Sequence, residues 1–172
     1  LLAESEDDSE EVRKLKKVAR KQRESHKHTL RSQVFANIHH ISRHGSRLAP
    51  LSNLPGKLPG ARLAAHLFLG VHKDRPMLAF ASRSFPAWFQ HHEPLGSGQR
   101  GPASLFHDTF MDYDEPEIGI ATTELMELAG FKVELSDSVC CGRPMISKGY
   151  MDKAAGQARI NVERLSQQGE AD

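Results

Sequence analysis

Cysteine is almost missing from this chain: there are two, and they are adjacent, Cys140 and Cys141. Neighbouring cysteines bridge each other only through a strained ring, so a disulfide framework of the secreted kind is excluded and a reducing compartment fits better. Long apolar runs are missing too. None approaches the roughly 20 residues that cross a bilayer, and the acidic opening from Glu4 to Glu11 is the wrong chemistry for a signal peptide. Net charge is nearly absent, +1 from 23 Lys and Arg against 22 Asp and Glu, which removes whole-molecule steering toward nucleic acid, a membrane or an acidic substrate. An initiating methionine is lacking as well. The chain opens on Leu1, so upstream residues are expected. Together these absences point to a cytoplasmic protein with no transmembrane segment and no nucleic-acid partner, held at most at the inner face of a membrane through another protein.

What is present is enough for one ordinary domain and an appendage. The 172 residues are 38% hydrophobic and 26% charged, and a mean hydropathy of −0.51 suggests that part of the length is a solvated arm. Residues 1–60 read as a helical, charged extension. An acidic run leads into a basic one, Arg13 to Arg23, with a thin stripe of Val12, Leu15 and Val18 or Ala19. A better helix starts at about Thr29, a suitable N-cap, and carries Leu30, Val34, Ile38 and Ile41 on one face before ending near Gly45. Residues 61–102 read as a connector. A short apolar helix, Arg62 to Leu69, ends at Gly70, and an aromatic cluster follows at Phe80, Phe85, Trp88 and Phe89, suited to packing on a neighbour as an irregular arm.

From residue 103 the pattern becomes regular. Ala103 to Phe106 suits a buried strand. Glu115-Pro116 opens a helix with Ile118, Ala121, Leu125 and Leu128 in a stripe and Gly130 at its end. Phe131 to Leu135 alternates as a second strand, and a long helix from about Gly149 to Gln167 lines up Met151, Ala155, Ala158, Val162 and Leu165. Strand, helix, strand, loop, helix is a βαβ unit with parallel strands and a right-handed crossover, and its chemistry belongs in the loops beyond the strand ends. Those loops are His107 to Glu115 and Ser136 to Lys148.

Cys140 and Cys141 stand in the second loop. Gly142 allows close backbone approach and Arg143 places a positive charge beside the thiols. Thiolates are the ligands that iron and iron–sulfur clusters select. Two small, partly buried hydrophobes that simply fit are the competing account, and the Gly-Arg-Pro context in a strand-to-helix loop favours a site.

Leu105-Phe106-His107-Asp108-Thr109-Phe110, Glu115-Pro116-Glu117-Ile118-Gly119, Cys140-Cys141-Gly142-Arg143-Pro144 and Ser147-Lys148-Gly149 closely resemble the cysteine-rich CCG domain of iron–sulfur oxidoreductases. That domain occurs in heterodisulfide reductase, in the iron–sulfur components of glycolate oxidase and anaerobic glycerol-3-phosphate dehydrogenase, and in flavin-linked D-lactate dehydrogenase-like fusions. The resemblance is specific from about Ser104 to Leu165 and looser upstream. It implies an α/β fold, a βαβ half-domain of the CCG type over residues 103–172 behind a mostly helical N-terminal extension. It also implies electron transfer within a flavin-dependent 2-hydroxy acid dehydrogenase of the D-lactate or glycolate kind. Cys140 and Cys141 match the family's paired cluster ligands, with Gly142, Arg143 and Thr109 beside the cofactor. Thr109 stands where the full motif has its first cysteine, and the later Cys-x-x-Cys is absent. A four-iron cluster typically takes four thiolates, so the set is incomplete. The remaining ligands are expected beyond Asp172 or on a partner, FAD on another domain or protein, and the electrons are expected to pass to an acceptor such as quinone. The fragment is expected to be inactive alone, with no catalytic residue of its own. A non-redox interaction module that keeps the fold without a cluster is the alternative.

Other signals carry less. His39, His40 and His44 place two imidazoles on one helical face, compatible with zinc or haem, but no carboxylate or cysteine completes a set. His26, His28, His91 and His92 lie in polar stretches and are expected to face water. Capping by Asp108 is preferred over a cofactor role, His107 is a candidate for orienting groups near a cofactor, and the acids Asp112, Asp114, Glu115 and Glu117 suit the N-terminal dipole of a helix.

Overall fold

The structure, a computed structural model, describes residues 8–27 and 29–169. The acids at positions 4–7 and His28 lie outside the described residues, as does the side chain of His26. Helix α1 (Glu10–Lys27) begins with Glu10 and Glu11, where the helix dipole favours acids, and Lys14 pairs with Glu10 at 2.9 Å one turn on. Its thin stripe stays in water, with Leu15 69% exposed.

The apolar spacing predicts one helix from Thr29 to Gly45, and the chain divides it into α2 (Leu30–Ala36) and α3 (Ile38–Arg47). Thr29 caps α2 as expected, accepting from Ser32 N at 3.2 Å. The break lies at Asn37, whose side-chain amide donates to the Gln33 carbonyl at 2.7 Å, a local bond that competes with the helical ladder. A 3₁₀ turn (Leu51–Asn53), α4 (Leu54–Lys57), α5 (Ala61–Ala64) and one π-helical turn (Ala65–Leu69) follow. Gly70, at φ 63°, ends them in the left-handed region.

The aromatic connector does pack, and it does so at two glycines. The Phe80 ring lies on Gly45 of α3, where a β-carbon would come within 2.6 Å of it. Five residues later the fully buried Phe85 opens helix α6 (Phe85–Phe89) with its ring on Gly119. Asn53 clasps the Phe80 backbone twice, at 2.8 Å each, Ser46 donates to the Ala81 carbonyl at 2.6 Å, and Ala81 N donates to the Tyr113 carbonyl at 2.7 Å.

The C-terminal part is mixed α/β. Strand β1 (Pro102–Leu105) is followed by α7 (Thr109–Tyr113), α8 (Pro116–Leu128), β2 (Lys132–Leu135), α9 (Arg143–Ser147) and α10 (Met151–Gly169). The two strands pair in parallel, with Ala103 opposite Val133 and Leu105 opposite Leu135, and these four turn inward while Pro102, Ser104, Lys132 and Glu134 face solvent. Gly130, at φ 93°, closes the crossover helix as its position suggested.

The faces of the helices differ from the apolar spacing. Ile118, Leu125 and Leu128 of α8 are exposed, and Gly119, Thr123 and Glu127 point inward. The inward polar groups are satisfied: Thr123 donates to the Gly119 carbonyl at 2.9 Å, and Glu127 accepts from His92 at 2.8 Å and from Leu95 N at 3.0 Å. His92 is therefore drawn inward, where its polar surroundings suggested solvent. On α10, likewise, Val162 is 69% exposed while Ala154 and Asn161 are buried. The requirement of Phe85 for a glycine and of the 92–95 segment for a carboxylate sets the rotation of α8, and periodicity alone registers neither.

Helix α3 packs on α7, and the Asp114 carboxyl lies in that contact with neither oxygen completing a hydrogen bond, as does the buried Ser42 hydroxyl. Burial pushes Asp114 up to about 6, with Ser42 opposing and Glu115 and Asp108 adding to the rise. A carboxyl whose folded pKa is raised favours the folded state fully below its ordinary value of 3.8 and loses that contribution as pH climbs to about 6. Asp114→Asn is expected to raise stability at pH 7 by about 1 kcal/mol, allowing for partial solvent screening, and to flatten the stability profile between about pH 4 and 6, as checked by denaturant melts across that range. Phe85→Ala is expected to cost about 3–5 kcal/mol, read as a lowered denaturant midpoint.

Candidate functional site

The loops after β1 and β2 meet, and His107 joins them. Its Nδ1 lies 2.7 Å from Asp112 Oδ1 and its Nε2 3.3 Å from the Ser136 carbonyl. Both partners are acceptors, an arrangement that favours the ring with a proton on each nitrogen. Burial pulls its pKa down, but the Asp112 hydrogen bond and charge, the Ser136 carbonyl and Asp108 together raise it. Asp112 lies in the first turn of α7 and is also engaged by His107, Asp114 lies in the interface with α3, Glu115 is the N-cap of α8, and Glu117 sits in the first turn of α8. Asp108 caps α7 as expected, its Oδ1 accepting from Phe110 N at 3.0 Å and Met111 N at 2.9 Å.

The cap delivers Thr109 to the first position of α7, buried, with its hydroxyl against Cys140. Burial pushes the Cys140 thiol up, while the Gly142 N–H and the Thr109 hydroxyl favour its thiolate and Cys141 opposes it. Cys140 is half-buried and Cys141 exposed. Arg143 is exposed and is not among the groups that influence Cys140. Gly142 has φ 78° and caps α9, and a β-carbon there would press on Ala154 of α10 at 3.3 Å, so this glycine serves both a left-handed turn and a close helix approach.

Residues outside the apolar pattern hold this loop. Asn161 accepts from Val139 N at 2.7 Å and donates to the Val139 and Cys140 carbonyls at 3.3 and 3.4 Å. Arg164 pairs with Asp137 at 2.7 Å, and Gln168 accepts from Asp137 N at 3.2 Å. Positions 161, 164 and 168 step by three and four, so a polar helical stripe was the signal, and it is masked in the sequence by the apolar stripe beside it.

Cys140, Cys141, Thr109 and Arg143 line a cavity of about 760 Å³ between the C-terminal part and the arm. Its other walls include Phe35 and Ile38 of α2 and α3, Leu69, Met77 and Phe80. Lys148 borders it with its ammonium 5.0 Å from the Phe35 ring centre. A thiol pair at an apolar cavity suits a soft metal or cluster, but it supplies two donors. Among the described residues no group of three or more His, Cys, Asp or Glu gathers as a metal site. The His39 and His40 rings lie 4.0 Å apart between centres, tilted by 39°, without a further ligand, and burial, His40 and Lys153 depress His39. No helix among the described residues is long and apolar enough to cross a membrane.

Comparison with known proteins finds a family match for the C-terminal part of the sequence. Residues 105–172 match the family model of the cysteine-rich domain CCG. One component of the anaerobic glycerol-3-phosphate dehydrogenase of Escherichia coli (strain K12) is 26% identical over 138 residues, which is 80% of this chain and 35% of that protein. Lactate utilization protein A of Macrococcus caseolyticus is 35% identical over 65 residues, 37% of this chain and 26% of that protein. One component of the fumarate reductase (CoM/CoB) of Methanothermobacter marburgensis is 34% identical over 61 residues, 35% of this chain and 12% of that protein. The chain thus spans about a third or less of the length of these curated relatives. No solved structure matches it. The family match covers both strands' outgoing loops, the cysteine pair and α10, and residues 105–172 are a cysteine-rich domain of the CCG family.

Proposed function

We propose that this chain is the electron-transfer, iron–sulfur portion of a flavin-dependent 2-hydroxy acid dehydrogenase of the D-lactate or glycolate kind. The observation that carries the proposal is the vicinal pair Cys140 and Cys141 at the wall of an apolar cavity that Thr109 and Arg143 also line. The relatives support an oxidoreductase setting, since one is by name part of a dehydrogenase, another part of a fumarate reductase and a third a lactate utilization protein.

A bound iron–sulfur cluster would supply one-electron steps between the reduced flavin of a partner domain or protein and an acceptor such as quinone. The part of this chain is to hold it. Cys140 and Cys141 are two of its ligands, Thr109 is their neighbour, Gly142 permits close approach, and Arg143 lends positive charge at the cavity mouth. The remaining thiolates come from elsewhere in a longer protein or from a partner, so this piece alone has no turnover. Its place is on the cytoplasmic side, at the inner face of a membrane where the acceptor is lipid-soluble.

Iron and acid-labile sulfide analysis after anaerobic reconstitution tests the assignment. The chain alone is expected to retain well under four irons and Cys140→Ala/Cys141→Ala none, whereas stoichiometric four-iron loading of the monomer would overturn the incomplete ligand set. Equal iron in the double variant would favour a non-redox interaction module. Because burial raises the Cys140 thiol and the ligand must be a thiolate, retention is expected to improve from about pH 7 to 9. Asn161→Leu is expected to lower stability by about 1–3 kcal/mol, since it strands the Val139 N–H, and to reduce iron retention without removing a sulfur.

A further inference from the structure

The nearly balanced charge of the whole chain conceals a strong segregation. Residues 12–73 hold 14 of the 23 Lys and Arg but only one acid, Glu24, which leaves nine cations and 21 acids elsewhere. From residue 25 to residue 73 there is no Asp or Glu at all. The same stretch carries a run of exposed apolar side chains. Leu51, Leu54, Leu58, Leu63, Leu67 and Phe68 are each 54–70% exposed. They stand on or beside the 3₁₀ turn, α4, α5 and the π-helical turn, which pack one on the next, and the other side of these turns sends Asn53, Gly56, Ala65 and Leu69 to the cavity. Arg47, Lys57 and Arg62 are exposed in the same stretch and form no ion pair among the described residues. Six large apolar side chains in water contribute nothing to the fold there, and gathered on successive turns they mark an interaction surface.

We propose that the outer side of the arm is a docking surface for a bilayer that contains anionic phospholipid, with the leucines and Phe68 entering the headgroup region and Arg47, Lys57 and Arg62 set against the phosphates. No helix among the described residues is long and apolar enough to cross a bilayer, so the arm lies on the surface. Such contact draws on two additive terms, buried apolar area and the attraction of Lys and Arg to anionic headgroups. The acidic remainder of the chain is repelled by the same headgroups, which turns the arm toward the membrane. A second copy does not suit the patch, because arm against arm sets cations on cations with no acid between them. Protein partners are bound chiefly through Trp, Tyr and Arg, with Leu under-represented, and the patch has neither Trp nor Tyr. A nucleic acid would take up the cations and leave the leucines in water. The attachment is therefore direct, where the net charge of +1 suggested attachment only through another protein. The inference deepens the membrane placement proposed above and rests on that reading for its purpose alone, since docking needs neither cluster nor cysteines.

Co-sedimentation of the iron-free chain with lipid vesicles tests it. At low salt the chain is expected to bind vesicles of phosphatidylcholine with about a quarter phosphatidylglycerol roughly tenfold or more tightly than vesicles of phosphatidylcholine alone, and to lose most of that binding at about 0.5 M NaCl. Leu51→Glu/Leu54→Glu and, on a separate turn, Leu67→Glu/Phe68→Glu are each expected to weaken binding roughly tenfold, and Arg47→Gln/Lys57→Gln/Arg62→Gln several-fold. These side chains are exposed, so the variants keep the fold, as circular dichroism checks, and either leucine pair suffices if the other unfolds. Val162→Glu alters a residue of α10 that is 69% exposed, as Leu51 is, and is expected to bind as the parent chain does. Equal binding to both kinds of vesicle, undiminished binding by the arm variants, or an equal loss in Val162→Glu would overturn the inference. So would a dimer that the leucine variants dissociate, or tighter binding to duplex DNA than to the anionic vesicles. Iron loading and vesicle binding are read separately, so a chain that takes up no iron yet binds vesicles fails the cluster assignment alone, and one that loads iron without binding vesicles fails this inference alone.

Discussion

Two phenyl rings on two glycines hold this molecule together. Phe80 lies on Gly45 of the arm and Phe85 on Gly119 of the crossover helix, and the few residues between them form a crossbar from one part to the other. A glycine under an aromatic ring allows the helix backbone to come closer than any side chain would permit, so each contact is both a large apolar burial and a positional lock. The surrounding hydrogen bonds, from Asn53, Ser46 and the Tyr113 carbonyl, satisfy the crossbar backbone where water is excluded. The cavity exists because of this arrangement. With the crossbar in place, α2 and α3 face the cysteine loop across a gap that neither side fills.

On the domain side, polar groups do the positioning. The sheet is two strands of four residues, too small to orient two loops by itself. His107 ties the first loop to the second through Asp112 and Ser136, and α10 grips the second through Asn161, Arg164 and Gln168. A cysteine pair in a loop held this way has a fixed backbone, and its freedom lies in protonation: Cys140 is kept a thiol by burial, yet Thr109 and Gly142 stand ready for its thiolate. Under the proposed cluster-binding role, replacement of the proton by a soft metal is the change those groups would favour.

Much of the fold was legible in the residues. Both strands, the crossover helix closed by Gly130, the Thr29 cap and the packing of the aromatic connector follow from local chemistry and match the structure to within a few residues. The inward faces were not legible. On α8 both sides are apolar enough to bury, and the choice falls to Gly119 and Glu127, whose partners Phe85 and His92 lie far upstream in sequence. Asn37 was a helix residue by spacing and a helix break by its own side-chain hydrogen bond. For the site, the cysteine pair and Thr109 stood out at once, but the Asn161 stripe did not, since a polar residue in mid-helix usually means solvent.

The exposed apolar residues left on α8 and α10 follow from the same logic. Ile118, Leu125 and Leu128, and separately Ile160, Val162 and Leu165, are at least about a third accessible, while the groups beneath them are small or polar. A helix that spends its inward face on a glycine, a threonine and a carboxylate gains little from the hydrophobic effect there, so its attachment depends on Phe85 and on hydrogen bonds of modest net worth. Loss of the crossbar would then release α8 and the cavity together. Arm and cysteine domain are for this reason joined through the crossbar, although the family likeness covers only residues 105–172.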